Sequence, residues 1–318
     1  MQMRNVGKSG LKVSAVALGC NNFGWTIDEA ASRTILHRAL DLGVNLFDTA
    51  PIYGEKGGES EEILGRVLGS RRQDAIIVTK FGVAIPAGSS PNDTSRRAIM
   101  REIEASLKRL DTDYIDIYML HWPDWSTPME ETLRALEDIV TSGKARYIGC
   151  SNIPAWRLVE AQWISRTDRL HRFIVSQNEY SLAARDVEDT LMPALEAYQV
   201  ALMPYSPLAN GLLTGKFRSG DIPADSRLAR NTWNTGTRFL TPEHLARVDA
   251  LRAFAEQRGH TLLELAISWL LSNPLVCSVI GGATRPEQLD QNVAAADVWR
   301  LSREEMAEVD RICKAVYV

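Results

Sequence analysis

Residues 75–80 read Ala-Ile-Ile-Val-Thr-Lys, an apolar run closed by a threonine and a lysine. The run does not alternate between apolar and polar. A strand this apolar is buried on both faces, as in a parallel sheet covered by helices. Runs of the same kind stand at 15–18, 44–48, 115–120, 145–150, 173–177, 201–204 and 276–280. Between them lie amphipathic helical patterns at 59–68, 129–141, 154–164, 187–198, 262–271 and 286–295. Asp28 is placed to cap a further helix that runs to Leu42 and stops at Gly43, and Ser95 opens another that reaches Leu110. Eight strands alternating with helices predict an α/β fold of the (β/α)8 kind, a TIM barrel.

Three segments fall outside the repeat. Residues 4–14 carry Gly7 and Gly10 between β-formers, which predicts a β-hairpin ahead of the barrel. Residues 218–241 are polar and too long for a plain connection, the mark of a lid or binding element. Residues 302–315 predict one extra helix at the C-terminal end. All 318 residues are expected to form a single domain, a length that suits one barrel. An open doubly wound sheet binding a dinucleotide would carry GxGxxG after its first strand, and residues 19–24 read GCNNFG instead.

Bulk composition excludes several functions. Net charge is −4, from 36 basic and 40 acidic residues without a block of one sign, so neither a nucleic-acid surface nor a polybasic membrane patch is expected. No stretch reaches the roughly 18 apolar residues of a membrane span, and the first 12 residues hold no apolar signal core. Cys20, Cys150, Cys277 and Cys313 are too scattered for a zinc site and too few for a disulfide scaffold. Reduced thiols and a cytoplasmic location follow as expectations.

Chemistry in such a barrel sits at the C-terminal ends of the strands. The second strand ends in Asp48, with Tyr53 five residues on; the third ends in Lys80; the fourth runs into His121. Each has an ordinary reading alone: a turn-forming Asp, a packed Tyr, a snorkelling Lys, a structural His. Together they deliver an acid, a base, an imidazole and a phenol to one rim. A phenol titrates near pH ~10 and needs help at neutral pH. A neighbouring ammonium lowers that value, Asp48 can partner the ammonium, and His121 can orient a substrate oxygen. The set fits proton transfer to a carbonyl oxygen as hydride reaches its carbon. No serine or cysteine stands in a nucleophile elbow, and no His/Asp ligand cluster suggests a metal.

The chain resembles the aldo-keto reductase superfamily over nearly its whole length. GVNLFDTAPIYG (43–54) is similar to that family's first signature. DYIDIYMLHWPD (113–124), GKARYIGCSN (143–152), QNEYS (177–181) and YSPLANGLLTGK (205–216) are similar to later ones. The resemblance implies that Asp48, Tyr53, Lys80 and His121 form a catalytic tetrad with Tyr53 the general acid, and that NADPH is the cofactor. By the same matching, Ser151, Asn152 and Gln177 hold the nicotinamide carboxamide and Tyr205 stacks on its ring. Gly19, Cys20, Asn21 and Asp48 also line the cofactor. Ser206, Pro207, Leu208, Gly211 and Lys216 follow the pyrophosphate, while GGATRPEQLDQN (281–292) resembles the adenosine-end segment. There Gly281, Gly282, Arg285, Gln288, Gln291 and Asn292 are the matched positions, with Arg227 of the polar insertion as an adenosine-side clamp.

Some branches carry a lysine and an arginine for the 2′-phosphate where this chain has Gly282 and Gln288. Arg285 can meet that phosphate instead, since a guanidinium suits phosphate oxygens; NADH stays an alternative. Phe23, Trp25, Trp122, Trp125 and Trp233 are expected to wall the substrate pocket beside Tyr53. The short tail after Asn292 points to small aldehydes, sugars or hydroxy-carbonyl compounds rather than steroids. The resemblance extends to the potassium-channel β subunits, so a redox-sensing regulatory subunit with slow turnover is the competing reading. The sequence leaves open monomer or homo-oligomer.

Overall fold

The computed structural model describes residues 1–84, 92–217, 224, 226, 228–229 and 235–315. Its centre is an eight-stranded parallel sheet. In chain order the strands are β3 (Val16–Gly19), β4 (Leu46–Asp48), β5 (Ile76–Phe81), β6 (Ile115–Leu120), β7 (Ala145–Ser151), β8 (Phe173–Glu179), β9 (Ala201–Tyr205) and β10 (Val279–Gly282). Each pairs with the next, β10 returns to pair with β3, and a bridge between Leu202 and Val276 joins the two ends. The result is the (β/α)8 barrel. Ahead of it, β1 (Met3–Asn5) and β2 (Lys12–Ser14) form the antiparallel hairpin.

The helices are α1 (Glu29–Asp41), α2 (Glu59–Leu68), α3 (Arg96–Leu110), α4 (Met129–Thr141), α5 (Ala155–Asp168), α6 (Leu191–Tyr198), α7 (Thr235–Phe239), α8 (Pro242–Glu256), α9 (Leu262–Ser272), α10 (Pro286–Ala295) and α11 (Arg303–Lys314). Local chemistry sets their starts. Asp28 accepts from Ala31 N at α1 and Ser95 from Ala98 N at α3, while Thr261 and Ser302 open capping boxes with Glu264 and Glu305. Among the described residues, no helix is long and apolar enough to cross a membrane.

Among the elements that differ from the sequence reading, two have a local cause. The helix expected over 187–198 is split into a 3-10 turn, Asp186–Glu188, and α6. Pro193 is the third residue of α6, where its missing N–H would have had no partner; a helix begun at 187 would have put it in the interior. Helix α8 is not marked by the apolar pattern, because Arg252 is buried among Val248, Leu251 and Ala255 and interrupts the stripe.

The period of two along each strand divides the molecule. Leu46, Val78, Ile117, Met119, Val175, Ala201 and Met203 fill the barrel interior. Their neighbours Phe47, Ile77, Tyr118, Leu120 and Leu202 pack outward against the helices. This parity decides which strand-end side chains face the axis.

Candidate active site

Counting in twos from the interior residues leads to the site. Leu46 is followed by Asp48, Val78 by Lys80, Met119 by His121, Val175 by Gln177 and Met203 by Tyr205. Each is the next axial position at the C-terminal end of its strand, so the barrel brings five polar side chains to one mouth. Asp48, Lys80, His121 and Gln177 are all buried.

Lys80 is fully enclosed. Its Nζ donates to Asp48 Oδ1 at 2.8 Å and to the Thr49 carbonyl at 2.9 Å. The third contact is Tyr53 Oη at 3.4 Å. Gln177 Nε2 donates to the same Asp48 oxygen at 2.7 Å. Tyr53 comes from the loop after β4, where Gly54 has a φ of 115° that only glycine adopts freely, and a side chain there would collide with Glu59. The Tyr53 and His121 rings meet edge to face with centroids 6.1 Å apart.

Charge states follow from this packing. Burial disfavours the Lys80 ammonium, but Asp48 and Tyr53 outweigh it and raise its pKa above the usual value. Burial, with the Lys80 charge, holds His121 well below its ordinary value, so the imidazole is neutral. Tyr53 departs from the expectation that Lys80 lowers its pKa: burial pushes the phenol up, Lys80 pulls it down, and Asp48 pushes it up again, for a net rise. Tyr53 therefore keeps its proton at neutral pH, the state a proton donor needs.

A second cluster adjoins the first. Asn152, with a left-handed φ of 57°, donates from Nδ2 to the His121 carbonyl at 3.0 Å and to Ser151 Oγ at 2.9 Å. Tyr205 Oη donates to Asn152 Oδ1 at 2.8 Å, and Ser151 Oγ donates to the Gln177 carbonyl at 2.8 Å. Ser151, Asn152, Gln177 and Tyr205 are thus one network. Beyond Tyr205, Ser206 also has positive φ, and the turn through Pro207 and Leu208 reaches Gly211, whose φ is 100°. A side chain at Gly211 would stand 3.5 Å from Lys216 Cε and 3.7 Å from its Nζ, so the ammonium lies close to the Gly211 backbone. At the end of β10, Gly282 lies beside Asn21 and Asn22. Gly19 ends β3, and Cys20 beside it is fully buried, its backbone N–H bonded to the Asp48 carbonyl.

At α10, Arg285 is the exposed N-cap residue and Gln291 is also exposed. Gln288 accepts from the Thr284 N–H at 2.8 Å and ties the loop to the helix. Asn292 is buried against Gly281. The aromatic residues divide. Phe23 is fully buried in the main core, held inward by the tight turn over residues 20–27, and is no part of the open surface. Trp25, Trp122 and Trp125 are exposed, with Trp125 stacked on Trp156 of α5 at 5.9 Å. Arg227 and Trp233 lie outside the described residues.

Sequence reasoning missed Thr49, whose carbonyl is one of the three Lys80 contacts, and the direct bond from Gln177 to Asp48. The axial parity of Val175 and Gln177 was the available signal for the second; a backbone carbonyl leaves none.

A sequence model of the aldo/keto reductase family matches residues 15–314. The chain is 44% identical over 308 residues to a probable voltage-gated potassium channel subunit beta of Arabidopsis thaliana, covering 94% of this chain and 92% of that protein. It is 42% identical over 320 residues to a protein of the same description from Oryza sativa subsp. japonica, at 98% and 95% coverage. The L-glyceraldehyde 3-phosphate reductase of Escherichia coli (strain K12) is 39% identical over 322 residues, at 98% and 92% coverage. The barrel, its mouth and a match over most of the chain agree: this chain belongs to the aldo/keto reductase family.

Proposed function

We propose that this protein is an NADPH-dependent oxidoreductase that reduces aldehydes and ketones, or oxidises the corresponding alcohols or sugars, with Tyr53 as general acid and base. The observation that carries the reading is the chain Asp48–Lys80–Tyr53, at 2.8 and 3.4 Å, beside a neutral His121. The residues along the mouth fit a nicotinamide dinucleotide. The Asn152–Ser151–Gln177 network offers amide groups for a carboxamide, Tyr205 an aromatic face, and the Gly211–Lys216 turn a cationic cradle for a pyrophosphate. Arg285 stands at the N-terminus of α10, where the helix dipole also favours a phosphate.

When bound, the reduced nicotinamide supplies the hydride. Tyr53 delivers its phenolic proton to the carbonyl oxygen, and Lys80 stabilises the phenolate left behind. Asp48 holds Lys80, and neutral His121 orients the substrate oxygen. Small aldehydes and short sugars are the substrate class. The name of the Escherichia coli relative adds phosphorylated aldoses to it.

A screen of such carbonyl compounds, following NADPH absorbance with NADH in parallel, tests activity and cofactor together. Tyr53→Phe should abolish turnover while nucleotide binding survives; undiminished activity would overturn the mechanism. The likeness to channel β subunits favours a second reading, a nucleotide-binding regulatory subunit. Slow turnover with tightly retained nucleotide, and a gel-filtration mass of an assembly, would choose it.

A further inference from the structure

Lys80 faces the barrel axis, so the residue before it faces outward. Thr79 is fully buried there, and its Oγ1 donates to Glu61 Oε1 of α2 at 2.6 Å. Glu61 is fully buried as well, and its other oxygen accepts from Arg109 Nε of α3 at 2.6 Å. The residue before Glu61 reaches the loop that carries Tyr53. The Ser60 N–H bonds the Tyr53 carbonyl at 3.3 Å, joined there by Gly58 N at 3.1 Å. Ser60 Oγ lies 2.8 Å from Thr49 Oγ1 and donates to the Cys20 carbonyl at 2.8 Å. One turn of α2 thus grips the Tyr53 loop through Ser60 and the strand of Lys80 through Glu61. On the far side of Lys80, Gly82 N donates to Glu102 of α3 at 2.9 Å, so β5 is tied outward on both sides of the lysine.

We propose that the Thr79–Glu61 hydrogen bond sets the contact between Lys80 and Tyr53, making Thr79 and Glu61 positioning residues for the proton transfer. The inference rests on the reading of Tyr53 as the proton donor. Its physical basis is rigidity. A charge-assisted hydrogen bond between two fully buried groups fixes the strand against the helix, and that helix holds the tyrosine loop. At 3.4 Å the ammonium–phenol contact is the longest Lys80 makes, so it is the one most readily lost when strand and helix shift.

The test uses the full-length protein with Thr79→Val, which keeps the shape of the side chain and leaves Glu61 with Arg109, and Thr79→Ser, which keeps the hydroxyl. Three readouts are taken: kcat and KM against pH with NADPH and a carbonyl substrate of the wild type, the thermal midpoint, and ultraviolet titration of Tyr53. The titration is the difference between each protein and its Tyr53→Phe counterpart. The groups facing the phenol are Cys20, Asp48, Lys80, His121 and Tyr205. Of these only the Lys80 cation draws its titration down, so a loosened contact raises it.

Thr79→Val is expected to lower kcat about tenfold with KM unchanged, less than the ~10²-fold that a misplacement of about 1 Å can cost. Its Tyr53 should titrate at higher pH than in the wild type, and Thr79→Ser should restore both. A merely structural role would lower the thermal midpoint and leave the titration where it was. Wild-type kcat, an unmoved titration in Thr79→Val, or a Thr79→Ser variant as impaired as Thr79→Val would each overturn the inference. The titration needs no turnover. Failure of the enzymatic reading, seen as activity surviving in Tyr53→Phe, is therefore distinct from failure of this one.

Discussion

Lys80 and Asp48 meet at 2.8 Å with side-chain exposures of 0% and 5%, an ion pair sealed beneath the mouth of the barrel. Gln177 Nε2 donates to the same oxygen of Asp48, and the Thr49 carbonyl accepts another Lys80 N–H, so both partners have further hydrogen bonds. Such a pair adds little net stability over an apolar replacement, yet removing one partner strands a buried charge.

Asp48→Asn and Lys80→Met should therefore each destabilise the fold by about 3–5 kcal/mol. The double variant should be more stable than the sum of the two losses implies. Denaturant unfolding of the four proteins closes the cycle. Additive losses would show that the two charges do not depend on each other. Both single variants should also lose turnover, Lys80→Met because the phenolate of Tyr53 then has no cation beside it.

On the proposed reading, Arg285 sets the choice of nucleotide. It is exposed at the N-cap of α10, in the segment that the sequence matches to the adenosine end of the cofactor. A hydrogen bond to a charged group contributes about 1.5–3 kcal/mol, or roughly a 10- to 100-fold change in affinity. Arg285→Ala should raise KM for NADPH by that factor and leave KM for NADH unchanged. Initial rates with both nucleotides check it. Equal effects on the two would assign the phosphate to another residue.

The barrel was legible because its strands are apolar runs and its helices begin at marked caps; β6, α2, α4 and α10 start and end where the pattern places them. The gathering of Asp48, Tyr53, Lys80 and His121 at one mouth was legible for a related reason. Asp48, Lys80 and His121 end or follow strands, and strand ends can be counted. What the sequence hid is what depends on side-chain direction across elements. Nothing in residues 58–62 tells that Glu61 reaches Thr79 rather than solvent, since GESEE reads as the exposed acidic start of a helix. Phe23 was expected in the substrate wall because it follows a strand end, but the turn after β3 folds it inward. The net rise in the Tyr53 pKa was hidden too, because composition cannot show that burial outweighs the neighbouring ammonium.

His121 is expected to contribute to the acid limb of stability. The imidazole is held well below its ordinary value of 6.5 by burial and by the Lys80 charge. In the unfolded chain it takes up a proton near pH ~6.5, whereas in the folded chain it resists until much lower pH. Between those two values the unfolded state binds more protons, so stability falls as pH falls. Above the unfolded value the contribution is fully present. The thermal midpoint of the wild type should therefore drop as pH is lowered from about 6.5, and His121→Gln, which has no titrating ring, should show a shallower drop over the same interval. Parallel midpoint curves for the two proteins would mean that another group sets the acid limb.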